Sequence, residues 1–185
     1  MKSLIITLLC SFCLSTTNAQ SYFRQCGIQL LTKQNGLSNN TLTGIYQDKV
    51  GFLWLGTDVG LSRYDGIHFH NYNLIDKEPR ALAHLYETSN NLLWSHIANL
   101  NQIACFDKMR GIYMPLISPT PEVLKDIQDI CVLQDKLYAL TSNVIVELKM
   151  EKNADEIRLT AQPLIDIKTK VLRLYNNEDI LCALT

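Results

Sequence analysis

Apolar and polar positions alternate in short runs along most of the chain, and turn residues separate the runs. Alternation with a period of two, bounded by Gly, Asp and Asn, is typical of β-strands. In the stretch from Gly36 to Asn73 the pattern predicts strands at residues 43–47, 52–57, 61–64 and 67–72. Asp65-Gly66 between the last two runs favours a tight antiparallel hairpin, because glycine accepts the positive φ that such a turn requires.

The same pattern recurs along the chain with a period of 40 to 44 residues. A turn and apolar residues precede each of four anchor positions, which are Trp54, Trp94, Tyr138 and Cys182. Four short antiparallel strands with tight turns occupy about this length, and they form one blade of a β-propeller. A meander or a β-sandwich also has a strand about every 8 to 12 residues. Neither architecture requires a large residue to recur every 40 to 44 positions.

The predicted fold is therefore all-β, with about three and a half propeller blades of four antiparallel strands. The blades are predicted at residues 36–75, 76–118, 123–164 and 165–185, the last of them incomplete. An open array leaves an apolar face and a strand edge exposed. We therefore expect this chain to be the amino-terminal part of a longer protein or a truncated gene product, and we expect it to be poorly stable in isolation. Between blades, residues 122–129 are predicted to form at most two helical turns, and residues 149–161 a charged hairpin or extended loop.

The first nineteen residues have the pattern of an export signal. Lys2 precedes an apolar run at residues 4–14, and small polar residues follow as far as Ala19. The apolar run is too short for a stable membrane-spanning helix. Residues 1–19 are therefore predicted to be a signal peptide and residues 20–185 to be exported, with an uncleaved signal anchor as the alternative.

Composition limits the partners that the chain would bind. A net charge of −1 over 185 residues gives no basic excess for nucleic acid or an acidic membrane surface, so no nucleic-acid contact is predicted. Cys26, Cys105, Cys131 and Cys182 lack the spacing of a zinc site. A disulfide between Cys105 and Cys131 is possible in an oxidising compartment, but their apolar surroundings favour buried thiols.

Few positions suggest metal or acid–base chemistry. His68 and His70 lie on one face of a predicted strand and would bind a metal if a third ligand converged. His84 and His96 fall in the next repeat, so no metal site is predicted. Three aspartates, Asp48, Asp58 and Asp65, resemble a carboxylate set for proton transfer. Because each lies in a turn where aspartate caps backbone amides, no catalytic residue and no cofactor is predicted.

Aromatic residues suggest a sugar-binding surface, since aromatic faces pack on pyranose rings. The candidates are Trp54, Trp94, Tyr64 and Tyr72. The regular spacing of the two tryptophans favours a place in the core instead. Loops at the blade ends, at residues 57–60 and 96–102, are better binding candidates because propellers bind ligands with loops around the channel.

Residues 35–66 resemble closely the repeat of the two-component regulator propeller family. The matching motifs are Gly36-Leu37-Ser38, Ile45, Gln47-Asp48, Gly51, Leu53-Trp54, Gly56-Thr57, Gly60-Leu61 and Arg63-Tyr64-Asp65-Gly66. The later blades match loosely, with Thr88 and Asn91 in place of the first Asp and Gly. The predicted structural anchors of the repeat are Asp48, Gly51, Trp54, Gly56, Thr57, Gly60, Tyr64, Asp65, Gly66, Trp94, Phe106 and Tyr138.

The resemblance implies the periplasmic sensor region of a hybrid two-component system of the kind common in Bacteroidetes. Such proteins carry propellers outside the cytoplasm, one membrane helix, and a cytoplasmic histidine kinase with a DNA-binding module. By this resemblance the chain would bind a small molecule, an oligosaccharide, and pass its bound state to the rest of the kinase, which would control genes for using that sugar. In the full-length protein we expect a homodimer tethered to the inner membrane. The chain itself is not predicted to be an enzyme; the alternatives are part of a propeller glycosidase or polysaccharide lyase, or a non-signalling scaffold propeller.

Overall fold

The computed structural model describes residues 27–73, 81–142, 144–167, 171, 173–177 and 180–184. The chain divides into two units, Met1–Leu31 and Thr32–Thr185. In the first unit the described residues, 27–31, form a loop, and the predicted signal peptide lies outside the described residues. Across the described ranges, no helix combines the length and the apolar character needed to span a membrane.

Antiparallel hairpins that follow one another in sequence build the second unit. A short 3₁₀ turn, Lys33–Asn35, precedes the first sheet. The first sheet contains β1 (Leu42–Gln47), β2 (Leu53–Thr57), β3 (Gly60–Tyr64) and β4 (Phe69–Asn73). The second contains β5 (Leu82–Thr88), β6 (Leu92–Ile97), β7 (Gln102–Asp107) and β8 (Ile112–Met114).

The third sheet begins with a strand that follows directly on the second sheet. This strand, β9 (Leu116–Ile117), pairs in parallel with the last strand of the third sheet, although the sequence assigns these residues to the second blade. One helical turn, α1 (Pro121–Leu124), comes next. The other strands are β10 (Asp129–Leu133), β11 (Lys136–Leu140), β12 (Val144–Lys152) and β13 (Ile157–Asp166), and the fourth sheet contains β14 (Arg173–Asn177) and β15 (Ile180–Leu184).

The four sheets pack side by side through their first strands. β1 contacts β5, β5 contacts β10, and β10 contacts β14. Apolar cores lie between consecutive sheets: Trp54 and Phe106 lie between the first and second, and Trp94 and Leu148 between the second and third. Leu174 and Cys131 lie between the third and fourth. Four-stranded antiparallel sheets packed in this way are propeller blades, so the predicted all-β fold is confirmed.

The four anchor residues occupy equivalent places in the sheets. Each lies on the second strand of its sheet and pairs with a residue of the first strand. The pairs are Trp54 with Tyr46, Trp94 with Tyr86, Tyr138 with Cys131, and Cys182 with Tyr175. The period of 40 to 44 residues in the sequence therefore corresponds to one step from blade to blade.

The predicted turn at Asp65-Gly66 is displaced by one residue. Tyr64 and Phe69 are the last ladder pair, and the Asp65 amide donates to the His68 carbonyl at 3.2 Å. The tip is therefore Gly66-Ile67, with Gly66 at a φ of 99°. Asp65 stands beside the tip, where its carboxylate accepts hydrogen bonds from the Ile67 and His68 amides at 2.8 and 2.6 Å. Glycine supplies the positive φ, and aspartate stabilises the turn from outside its tip.

Candidate functional site

Asp48 is a buried structural carboxylate. One oxygen, Oδ1, accepts hydrogen bonds from the three backbone amides of residues 50–52, each at 3.0 Å. The other, Oδ2, accepts from Trp54 Nε1 at 2.9 Å and from Lys108 Nζ at 3.1 Å. Burial opposes ionisation, but the hydrogen bonds from Trp54 and Lys108 outweigh it and hold the pKa of Asp48 below its usual value. The carboxylate joins the turn, the anchor tryptophan and the second blade, and its oxygens are occupied by these contacts.

The second blade replaces this carboxylate with a hydroxyl. Trp94 Nε1 donates to Thr88 Oγ1 at 3.2 Å, which corresponds to the Trp54–Asp48 bond of the first blade. The indole N–H is buried in both blades, and a buried donor requires a partner. The different residues at positions 48 and 88 therefore perform one structural task.

Three of the four aromatic candidates for sugar stacking, Trp54, Trp94 and Tyr72, lie between blades, and Tyr64 packs on Phe69 of its own blade. Trp54 and Trp94 are 2% and 0% exposed, so neither presents a face to solvent. The Trp54 ring lies 5.9 Å from that of Tyr72 and 5.6 Å from that of Phe106. From the second blade, Tyr113 Oη donates to the Tyr72 carbonyl at 2.9 Å. These rings connect the first two blades and are not a sugar-binding surface.

Gly56 and Thr57 of β2 also have packing roles. A Cβ at Gly56 would lie 2.0 Å from the carbonyl oxygen of Leu82 in the next blade, so the two backbones meet where no side chain fits. Thr57 Oγ1 donates to the Gly60 carbonyl at 2.9 Å and closes the turn at residues 57–60. The second candidate loop, residues 96–102, begins at His96, which is 5% exposed and whose Nε2 donates to the Ile127 carbonyl at 3.0 Å. Its first residue is therefore engaged in packing between blades.

His68, in the turn before β4, and His70, within β4, both lie at the surface. The His68 side chain is 75% exposed, and its Nδ1 is 4.0 Å from Asp65 Oδ2. Within the described residues, no three side chains of the His, Cys, Asp or Glu type converge as metal ligands. Cys105, Cys131 and Cys182 are free thiols, and burial raises the pKa of Cys131 to about 11.

A polar cavity of about 300 Å³ lies where the first strands of three blades meet. It is lined by Thr43, Gly44 and Ile45 of β1, by His84, Leu85 and Tyr86 of β5, and by Arg173 of β14. Because the first strand is the innermost strand of a blade and faces the propeller channel, this cavity opens on the channel side. It is the candidate binding site.

Two β-bulges shape the cavity wall. The register of β1 against β2 shifts between Leu42 and Gly44, and that of β5 against β6 shifts between Ala83 and Tyr86. His84 lies in the second bulge and has a φ of 53°, which is unusual for a residue with a side chain. Bulges redirect side chains and are common beside functional sites. Here the bulge directs the imidazole toward the cavity.

Arg173 packs directly on this imidazole. Arg173 Nη2 lies 3.0 Å from His84 Nδ1 and 3.1 Å from Nε2. Burial lowers the pKa of His84, and the guanidinium lowers it further, while the Asp129 carboxylate acts in the opposite direction. The imidazole is therefore neutral near pH 7, and Arg173 keeps a full positive charge. Within the described residues, no carboxylate lies within ion-pair distance of that guanidinium.

A buried carboxylate lies behind the histidine. Asp129 Oδ1 is 3.9 Å from His84 Nδ1, and its side chain is 3% exposed. Its two oxygens accept the Ile130 amide and, across the blade boundary, the Leu174 amide, both at 2.9 Å. Asp129 therefore positions β14, and it does not line the cavity.

Four of these residues occupy one position of the repeat. Gly44, His84, Asp129 and Arg173 each stand two residues before the first-strand partner of an anchor. Consecutive blades thus place glycine, histidine, aspartate and arginine at equivalent points along their innermost strands. This position differs in every blade, and at His84 and Arg173 it places two polar side chains in the wall of the cavity.

The sequence did not identify this site. The sequence pattern suggests His84 only as a metal ligand and gives no role to Arg173. The usable signal is the alignment of the first strands, because Thr43-Gly44-Ile45-Tyr46, Ala83-His84-Leu85-Tyr86 and Leu172-Arg173-Leu174-Tyr175 repeat one sequence pattern around a variable second position. The cavity itself depends on how the blades pack.

A protein-family model matches the first repeat. Residues 36–59 match the family model described as two component regulator propeller. This match lies within residues 35–66, whose motifs predict a resemblance to the same family, and it confirms that resemblance. Among curated proteins, no sequence matches this chain.

Several solved structures share the fold. An extracellular domain assigned to a hybrid two component system from B. thetaiotaomicron is 23% identical with a TM-score of 0.53, and the match covers 65% of this chain and 18% of that one. A second such domain from B. thetaiotaomicron is 15% identical with a TM-score of 0.54, covering 77% and 20%. A virginiamycin B lyase from Staphylococcus aureus is 19% identical with a TM-score of 0.58, covering 80% and 50%. The chain thus spans half or less of each structure, and at these identities the likeness shows the propeller fold.

Proposed function

We propose that this chain belongs to the exported, ligand-binding propeller of a two-component sensor. The observation that carries the proposal is the match of residues 36–59 to the two component regulator propeller model. The likeness to extracellular domains assigned to hybrid two component systems supports it. The ligand is a small molecule, an oligosaccharide, and the bound state controls transcription of the genes for its use.

The cavity at the first strands is the proposed binding site. His84, Arg173 and Thr43 come from different blades, so a ligand in the cavity contacts three blades at once. Such a ligand stabilises one relative arrangement of the blades, because it binds only where all three walls are in place. By this change in the arrangement of its blades, the sensor would signal to the remainder of a membrane-tethered, homodimeric kinase that the ligand is bound.

Gene expression in the host tests the proposal. The reading frame is deleted, and transcripts are measured during growth on single purified polysaccharides, with the wild-type gene restored as the control. Loss of induction of one set of polysaccharide-utilisation genes, recovered on restoration, is the expected result. Unchanged induction on every polysaccharide would contradict the sensor function.

A lyase is the second candidate function. A virginiamycin B lyase shares the fold, and the cavity holds a neutral imidazole beside a guanidinium, a pair suited to removing a proton next to a carboxylate. The full chain is incubated with acidic polysaccharides, and unsaturated products are followed by ultraviolet absorbance, with His84→Ala as the control. The sensor function predicts no product from either protein, whereas product that depends on His84 would establish the lyase.

A further inference from the structure

We propose that the cavity at β1, β5 and β14 recognises an acidic sugar, with the carboxylate of a uronic acid on the Arg173 guanidinium. The inference rests on the proposed function, because it names the class of oligosaccharide that the sensor would bind. It depends on the pairing of Arg173, the polar wall of the cavity, and the cavity size.

Arg173 has donors available for an anion. A guanidinium carries five N–H donors in a planar fork that matches a carboxylate. The structure pairs Nη2 with the His84 imidazole, a neutral group, and places no described carboxylate within ion-pair distance. The Arg173 side chain is exposed, so a ligand can reach the remaining donors. A charge-assisted, bidentate bond to a carboxylate is the strongest contact this arrangement can make.

Asp129, the described carboxylate that lies beside His84, is shielded from the cavity. Asp129 Oδ1 lies 3.9 Å from His84, behind the imidazole, and both carboxylate oxygens accept backbone amides. With a side chain that is 3% exposed, Asp129 does not reach a ligand in the cavity. Its charge offsets part of the Arg173 field, so the site selects an anion by geometry more than by net charge.

The other walls suit a sugar ring. Thr43 Oγ1 donates to the Leu82 carbonyl at 2.8 Å, which leaves its oxygen lone pairs for a sugar hydroxyl. Ile45 is 66% exposed and offers an apolar contact for the C–H face of a ring. A cavity of about 300 Å³ is at the small end of the range for ligand sites, which fits a terminal sugar and part of the next.

Calorimetry on the full exported protein tests the inference. The acidic probes are the trimers of galacturonic and glucuronic acid, and the neutral probes are the trimers of galactose and glucose. At least one acidic trimer is expected to bind about 10- to 100-fold more tightly than its neutral counterpart, because a hydrogen bond to a charged group contributes that much. Arg173→Ala should remove the difference, and Arg173→Lys, which keeps the charge but not the fork, should restore part of it.

Arg158→Ala is the matched control, since it removes an exposed arginine from β13 and should leave both affinities unchanged. Melting temperatures of the variants establish that the fold is retained. Equal binding of acidic and neutral trimers, no binding of either acidic trimer, or an Arg173→Ala protein that still discriminates would overturn the inference. Binding of inorganic sulfate as tightly as the uronate would also overturn it, because the site would then recognise any anion.

The gene-expression experiment separates this inference from the proposed function. A transcriptional response to a neutral polysaccharide that survives Arg173→Ala would refute the acidic ligand and leave the sensor intact. Induction that stays unchanged on every polysaccharide after deletion of the gene would instead refute the sensor.

Discussion

Replacing Gly56 by alanine tests whether the first two blades meet backbone to backbone. The added Cβ would lie 2.0 Å from the carbonyl oxygen of Leu82, a residue that is 0% exposed. Gly44 faces the same oxygen, but a Cβ there would lie 3.2 Å from it. Neither glycine has a positive φ, so alanine meets no backbone strain at either position and the comparison isolates the contact.

The cost follows from how far the blades must separate. An ordinary contact requires about 3.4 Å, so Gly56→Ala forces the two strands apart by about 1.4 Å. A gap of that size forfeits much of the dispersion energy across the interface, and it breaks the bond from Thr43 Oγ1 to the Leu82 carbonyl. Overpacking costs about 1–3 kcal/mol and a lost hydrogen bond about 1 kcal/mol. We expect about 3 kcal/mol for Gly56→Ala and about 1 kcal/mol or less for Gly44→Ala.

Guanidinium unfolding followed by tryptophan fluorescence measures the difference, because Trp54 and Trp94 are both buried. The midpoint of Gly56→Ala should fall well below that of Gly44→Ala, with similar slopes for both proteins. Equal free energies of unfolding for the two variants would refute the close approach of β2 to the second blade. If the dependence of the free energy of unfolding on guanidinium concentration became shallower in Gly56→Ala alone, the blades would no longer unfold together.

The remaining predictions concern single polar contacts. Asp48→Ala should lower the free energy of unfolding by about 2–4 kcal/mol, because it leaves the buried Trp54 N–H without its acceptor and removes the cap on three turn amides, while Lys108 keeps its ion pair with Glu87. Asp65→Ala at the exposed hairpin should cost much less, and chemical denaturation compares the two variants. Burial opposes ionisation of Asp107, but the Lys152 ammonium and two amides hold the pKa of Asp107 below its usual value. The stability that this carboxylate contributes is therefore present above the unfolded pKa of about 4 and is lost as pH falls through the lower folded pKa. Melting temperatures measured against pH should show this loss, and Lys152→Met should reduce it. Tyr113→Phe removes a hydroxyl that connects the first two blades and should cost about 1–2 kcal/mol in the same denaturation assay.

The strand pattern was predictable because it is local. Alternation and turn residues located the strands of the first sheet within about two residues, and the spacing of the anchors located one step of the repeat. The roles of Asp48 and Asp65 as caps of their own turns followed from the same local chemistry. The exact tip of the Asp65 hairpin did not, because Asp-Gly accommodates more than one turn and the register of Tyr64 with Phe69 decides between them.

Contacts between blades were not predictable in the same way. Lys108 reaches Asp48 in the preceding blade at 3.1 Å, and Leu116 joins the sheet that follows its own. Each contact connects residues far apart in sequence, and a single sequence contains no distance information for such pairs. Only the packing of one sheet on the next decides which charges meet.

The sequence by itself therefore determined the architecture: an all-β chain of propeller blades, with structural residues at a fixed period. The tertiary structure alone decided the candidate site, where Arg173 packs on His84 from 89 positions away. The physical reason is that one blade presents only one residue at the variable position of its innermost strand. A binding site forms there only when several blades pack around a common channel and bring those residues together.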